Sequence, residues 1–179
     1  GSAVAVRAVL GLGEAAAALG MRRRTPRSTL LPERREGNPE CIAALAEAGC
    51  DTAATENKGA TVLMLAAEGG SAAAVRAVLR LGGAGAALEA RDSEGWTAFV
   101  HACRKGNAES IAALAEAGCD TAARNNAGAT GLMLAALGGS GAAVRAVLGL
   151  GGAGKALEAR NNQGMTAFLW ACHKGSEEC

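Results

Sequence analysis

Six cysteines, two histidines and a lysine in a glycine-rich run are the side chains most able to do chemistry in this sequence. Zinc would ask for cysteine and histidine at short spacings such as Cys-x-x-Cys, so that several donors converge on one point. No Cys-x-x-Cys occurs, and His101 and His173 stand apart. The cysteines recur in step instead: Cys50 with Cys119, Cys103 with Cys172, and Cys41 with Cys179, the last pair having Ser110 midway. Residues that recur because a unit was duplicated need no shared chemistry, and cysteine is a small side chain that is commonly buried. Reduced structural thiols and no metal are expected.

The run from Gly149 to Ala156 contains Gly-x-Gly-x-x-Gly and places Lys155 where a phosphate-binding loop has its lysine. Such a loop needs Ser or Thr after the lysine to hold magnesium, and a strand before it that turns into a helix N-terminus. Ala156 follows here, the preceding residues read as helix, and the duplicate carries Ala86 in place of lysine. A glycine loop without cofactor is the expectation; a nucleotide-binding enzyme would reveal itself by thermal stabilisation with ATP or NAD. Carboxylates such as Glu47 and Glu116 recur as helix-surface charges, and no serine or cysteine nucleophile has a His/Asp partner suggested by the sequence. No catalysis is expected.

What organises these residues is a repeat. Gly59, Gly95, Gly128 and Gly164 are each followed after one residue by Thr61, Thr97, Thr130 or Thr166, with glycine spacings of 36, 33 and 36. Self-similarity at that period marks a stacked array. Residues Ile42 to Ala54 are identical to Ile111 to Ala123, so the larger duplicated unit spans 69 residues. Within one unit Thr61 caps a short helix ending near Glu68, Gly69 and Gly70 turn the chain, and Ser71 caps a second helix running to about Leu81 with Val75, Val78 and Leu79 inward. Another second helix runs from about Pro39 to Ala48, with Ile42 and Leu45 on its buried face and Gly49 ending it. With 2 % aromatics and abundant alanine, the core must come from small side chains packed closely in thin layers. One helix pair cannot bury its apolar faces alone, so stacking is obligatory.

These residues resemble ankyrin repeats. The pattern Gly-x-Thr-Pro-Leu-His-x-Ala-Ala is similar to Gly59-x-Thr61-Val62-Leu63-Met64-x-Ala66-Ala67 and to Gly95-x-Thr97-Ala98-Phe99-Val100-x-Ala102-Cys103, and the Gly128 and Gly164 units follow it. The resemblance implies an all-α ankyrin-repeat solenoid of stacked helix-turn-helix units with hairpin-like loops. Its expected divisions are a truncated repeat end at 1–20, an irregular Arg/Pro-rich segment at 21–36, half a repeat at 37–58, repeats at 59–94, 95–127 and 128–163, and a truncated repeat at 164–179. The family's proline is replaced by Val62, Ala98, Gly131 and Ala167, and its histidine by Met64, Val100, Met133 and Leu169. The threonine–histidine bracing of first helices is therefore expected to be missing. Gly131, read as lying inside a helix, costs about 1 kcal/mol relative to Ala, so lower stability is expected. Three extra residues between Gly82 and Leu88, and between Gly151 and Leu157, should enlarge alternate loops.

The resemblance further implies a non-catalytic scaffold that binds a protein partner through hairpin tips and the concave edge of the first helices. Those positions carry over as Asn57, Lys58, Glu68, Ser93, Glu94, Trp96, Arg104, Lys105, Asn126, Leu137, Gln163, Met165, His173 and Lys174. They vary between near-identical units, and Trp96, matched by Met165, is the best single anchor. His101 and Trp170 read as core or groove fillers. The alternative is a structural spacer with no dedicated ligand. A net charge of +1 gives no bulk attraction to nucleic acid, and no apolar run reaches the roughly 20 residues of a membrane span. A soluble intracellular protein, cytoplasmic or nuclear, is expected, monomeric within its parent chain. Gly1-Ser2-Ala3 aligns with the mid-repeat Gly70-Ser71-Ala72, and Cys179 with Ser110, so a fragment of a longer protein is expected.

Residues 21–36 carry six arginines and two prolines where the duplicate has a helix like Thr97 to Cys103. A basic import signal, a phosphate-binding patch and a solvated loop are three readings of such a run. A fourth fits the offset: codons permitted for Arg24 to Arg34 can encode, in a shifted frame, the pattern Asp-Ser-Glu-x-x-Ala-Phe-x-x-Ala found from Asp92 to Ala102. Compensating frameshifts would then have replaced an ordinary first helix. Sequencing the transcript is expected to find codons compatible with that alternate frame; incompatible codons would sink the idea.

Overall fold

The computed structural model describes residues 38–81, 87–151 and 156–174, Lys174 by its backbone only. The expectations for residues 1–36, most of both enlarged loops, Lys155 and Cys179 lie outside the described residues. Eight α-helices are described, joined by turns and loops: α1 Pro39–Glu47, α2 Val62–Gly69, α3 Ala72–Arg80, α4 Ala98–Lys105, α5 Ala108–Glu116, α6 Gly131–Gly138, α7 Gly141–Gly149 and α8 Ala167–Lys174. Isolated antiparallel bridges at Thr55–Thr61 and Arg124–Thr130 close two of the hairpin-like loops.

Local chemistry sets both helix ends. Thr61, Thr97 and Thr130 accept the backbone N–H three residues on, at 3.3, 3.4 and 3.4 Å, and so start α2, α4 and α6. Asn38, Ser71, Asn107 and Ser140 start α1, α3, α5 and α7 in the same way. Gly70, Gly106 and Gly139 end the first helices with φ near +75 to +80°, where a β-carbon is disfavoured, and the chain reverses at once into the second helix.

First helices α2, α4, α6 and α8 pack side by side in chain order, and second helices α1, α3, α5 and α7 form a parallel row behind them. Between the rows lies a core rich in small side chains, including Ala67, Ala74, Ala98, Ala102, Ala135 and Ala143, filled out by Leu63, Phe99, Ile111, Leu114 and Met133. The caps also tie layers together. Asn107 Nδ2 donates to the Gly70 carbonyl of the preceding turn, and Ser140 Oγ donates to that of Gly106 at 3.1 Å.

Two expectations need correction. Leu45 is 40 % exposed and Ile42 only partly buried, whereas their sequence-identical counterparts Ile111 and Leu114 are fully buried. The reason is neighbours: α5 packs against α3, α4 and α7, but α1 has its main described helix contact with α3. Leu79, expected inward beside Val75 and Val78, is partly buried and packs against the core. At the family's histidine position in α2, Met64 closes the helix's own capping box instead, its Sδ accepting the Thr61 N–H at 3.4 Å.

Gly131 is the second. It is the first residue of α6 rather than an interior one, and a β-carbon there would fall 2.7 Å from Phe99 Cε1 and 3.0 Å from Cys103 Sγ. The glycine is therefore the complement of the phenylalanine ring in the layer before it. Gly131→Ala is expected to destabilise by about 1–3 kcal/mol through overpacking, despite alanine's better helix propensity. Adding Phe99→Leu should recover most of that loss, as read from urea midpoints of the two single variants and the double; an additive pair would contradict the contact.

Candidate functional site

The loops between helix pairs carry the same turn four times. A side-chain oxygen of Glu56, Asp92, Asn125 or Asn161 accepts the N–H groups two and four residues on, at 2.8 to 3.5 Å. Each tip then docks on the one before it: Ser93 N–H donates to the Lys58 carbonyl at 2.8 Å, Asn126 N–H to Glu94 and Asn162 N–H to Ala127, both at 3.0 Å. Arginines staple the array at its base. Arg91 Nη1 donates to the carbonyls of Gly95 and Arg124, and Arg124 Nη1 to those of Gly128 and Arg160, both at 3.0 Å. Tips so fixed lose little conformational freedom on meeting a partner.

One tip differs from the rest. Asp92 accepts Trp96 N–H through Oδ1 at 2.9 Å, and His101 Nε2 donates to its Oδ2 at 3.0 Å. The His101 ring lies 5.1 Å from that of Trp96, and the Arg104 guanidinium carbon sits 5.0 Å from the Trp96 centroid. Burial alone would push the Asp92 carboxyl up, but the N–H of Trp96, the His101 donor and the N–H of Glu94 outweigh it and hold it below the usual carboxylate range. His101 is buried, and its Nδ1 finds no partner.

The sequence-derived site residues fall along this surface. Asn57, Lys58, Ser93, Glu94, Asn126 and Gln163 are exposed at loop tips, with Trp96 and Met165 half-buried beside them. Glu68, Arg104, Leu137 and His173 occupy one register near the ends of α2, α4, α6 and α8. Lys105 pairs with Glu68 at 3.2 Å, bringing α4 to α2, and His173 lies edge-on to Trp170 with centroids 6.0 Å apart. Lys174 closes α8. Asn126 serves the stack directly, since its Nδ2 donates to the Ser93 carbonyl at 3.1 Å. Beside the Glu68–Lys105 pair lies a groove of about 960 Å³ lined by Leu65, Gly70, Asn107 and Glu109 among others.

A family model described as ankyrin repeats (3 copies) matches residues 34–125, just over half of the chain. The chain belongs to the ankyrin repeat family. Ankyrin repeats are in general protein-interaction modules and non-enzymatic. No curated protein matches this ankyrin array in sequence. Among its described residues no helix is long and apolar enough to cross a membrane, and no three His, Cys, Asp or Glu side chains gather as metal ligands.

The thiols follow their layers. Cys103 and Cys119 are buried, while Cys50 and Cys172, their equivalents in outer layers of the described array, are exposed. Burial, with the charges of Glu89 and Asp120 added, pushes the Cys119 thiol up to about 12. Burial raises Cys103 still further. Neither buried thiol is a nucleophile at neutral pH.

Sequence reasoning missed Asp92 and His101 as the supports of Trp96, and Arg91 and Arg124 as staples. The available signal was positional: a polar residue four before each hairpin's closing residue, preceded by arginine in three of four units. Asp92→Ala is expected to lose about 1–2 kcal/mol, because two tip N–H groups and His101 lose their acceptor. Asp92→Asn, which imitates Asn125 and Asn161, should lose less. A carboxyl with a depressed folded pKa contributes stability that is present above the unfolded value near 4 and is lost as pH falls through the folded value. The gap between wild type and Asp92→Asn should therefore be open at pH 7 and shrink toward pH 3, as checked by urea unfolding at both.

Proposed function

We propose that this ankyrin array is a non-catalytic scaffold that engages a protein partner through its hairpin tips and the concave edge of its first helices. The observation that carries the reading is Trp96, a half-buried indole at a hairpin tip, with the His101 ring 5.1 Å away and the Arg104 guanidinium over its ring. An aromatic anchor already in place gives contact area at low ordering cost, which is what interaction hot spots need. Around it the same register carries different chemistry in each layer: Glu68, Arg104, Leu137 and His173. A spacer has no use for such variation among otherwise duplicated units. The proposal extends to a monomer within a larger intracellular protein, binding neither nucleic acid nor membrane, with the repeat boundaries expected from the glycine–threonine spacing.

The test is a pull-down from lysate of the source cells with the whole chain, beside its Trp96→Ala and Lys105→Glu variants. A partner retained by wild type and lost with either variant, while circular dichroism is unchanged, is the expected result. Partners retained by both variants would move the site elsewhere, and no partner at all would favour the spacer.

A further inference from the structure

We propose that the Arg104–Trp96 pair is a carboxylate receptor, and that the partner segment it takes carries an Asp or Glu three residues from an apolar side chain. The inference rests on the interaction reading above and specifies its chemistry. Arg104 is exposed, and its guanidinium lies beside the Trp96 ring, with no carboxylate paired to it among the described residues. A guanidinium stacked on an indole keeps its edge of N–H donors open, and that fork matches a carboxylate bidentately. The neighbouring charges leave this role to Arg104. Lys105 is engaged by Glu68, and the carboxylate of Asp92 by His101 and two backbone N–H groups. One unpaired cation suits a monoanion; a phosphate dianion would want further cations.

Spacing follows from the stack. Arg104 and Leu137 occupy the same register on α4 and α6, which pack directly together, and Leu137 is only partly buried. Packed helices stand about 8–10 Å apart, and an extended chain covers about 3.3–3.6 Å per residue. Three residues of an extended segment therefore bridge the two helices. On the opposite side the same register carries Glu68, already paired with Lys105, which offers no cation to a second acid there. The segment is thus acidic at Arg104 and apolar at Leu137.

Random 12-residue peptides displayed on phage, selected against the whole chain, test this directly. Selected peptides are expected to share an Asp or Glu with Leu, Ile, Met or Phe three positions away. One such peptide, synthesised, should bind about tenfold more weakly to Arg104→Gln, and about tenfold more weakly when its own acid is changed to the amide. The two changes together should cost little more than either alone. Arg104→Lys, which keeps charge without the fork, should recover part of the affinity. In a Trp170→Phe background the peptide should alter Trp96 emission. Peptides selected without acidic preference, or binding Arg104→Gln unchanged, would overturn the carboxylate assignment and leave the interaction reading standing. No selected peptide would overturn it too, and an empty pull-down would then remove the interaction reading with it.

Discussion

Each helix pair of this chain leaves apolar side chains on two opposite faces, and only another pair can cover them. Phe99 and Leu114 are fully buried only with α6 and α7 following them; their own repeat covers one side. Burying one such side chain is worth about 1.5–3 kcal/mol, so the layers form together or hardly at all. The same dependence governs polar groups. Turn carbonyls of Gly70 and Gly106 are satisfied by caps of the next repeat, and those of Arg124 and Arg160 by arginines of the one before.

Preorganisation of the surface is a by-product of that cross-satisfaction. Asp92 shapes its own loop, and the loop is fastened to Lys58 on one side and to Asn126 on the other. Trp96 inherits this rigidity. The indole then fixes Arg104, whose exposed side chain would otherwise sample many rotamers. A structural network thereby ends in the proposed carboxylate receptor, with no separate device to position it.

The helix pairs, their caps and the solenoid were legible in the sequence because they depend on local residue types at a fixed period. Thr61, Thr97 and Thr130 cap wherever they occur. Burial was less legible. Ile42 to Ala54 and Ile111 to Ala123 are the same words with different exposure, because burial belongs to the neighbours. The Trp96 site was half legible: the tryptophan stood out as the large residue in a varying register, but His101 and Asp92 lie five and four positions away and meet it only through the hairpin's turn. Gly131 was misread for a related reason, since its partner Phe99 sits in another layer.

The fit of Phe99 to Gly131 also fixes the grain in which this array can be edited. In the two other described layers Leu63 precedes Ala98 and Leu132 precedes Ala167, so ring-with-glycine alternates with leucine-with-alanine. Excising residues 128–163 would seat Phe99 against Ala167, whose methyl occupies the space a β-carbon at Gly131 would take. Excising 95–127 would leave Leu63 facing a glycine and an unfilled gap. Removing or adding two layers at once preserves every pairing. The 69-residue period is then the smallest step that preserves these pairings, which fits the identity of Ile42–Ala54 with Ile111–Ala123.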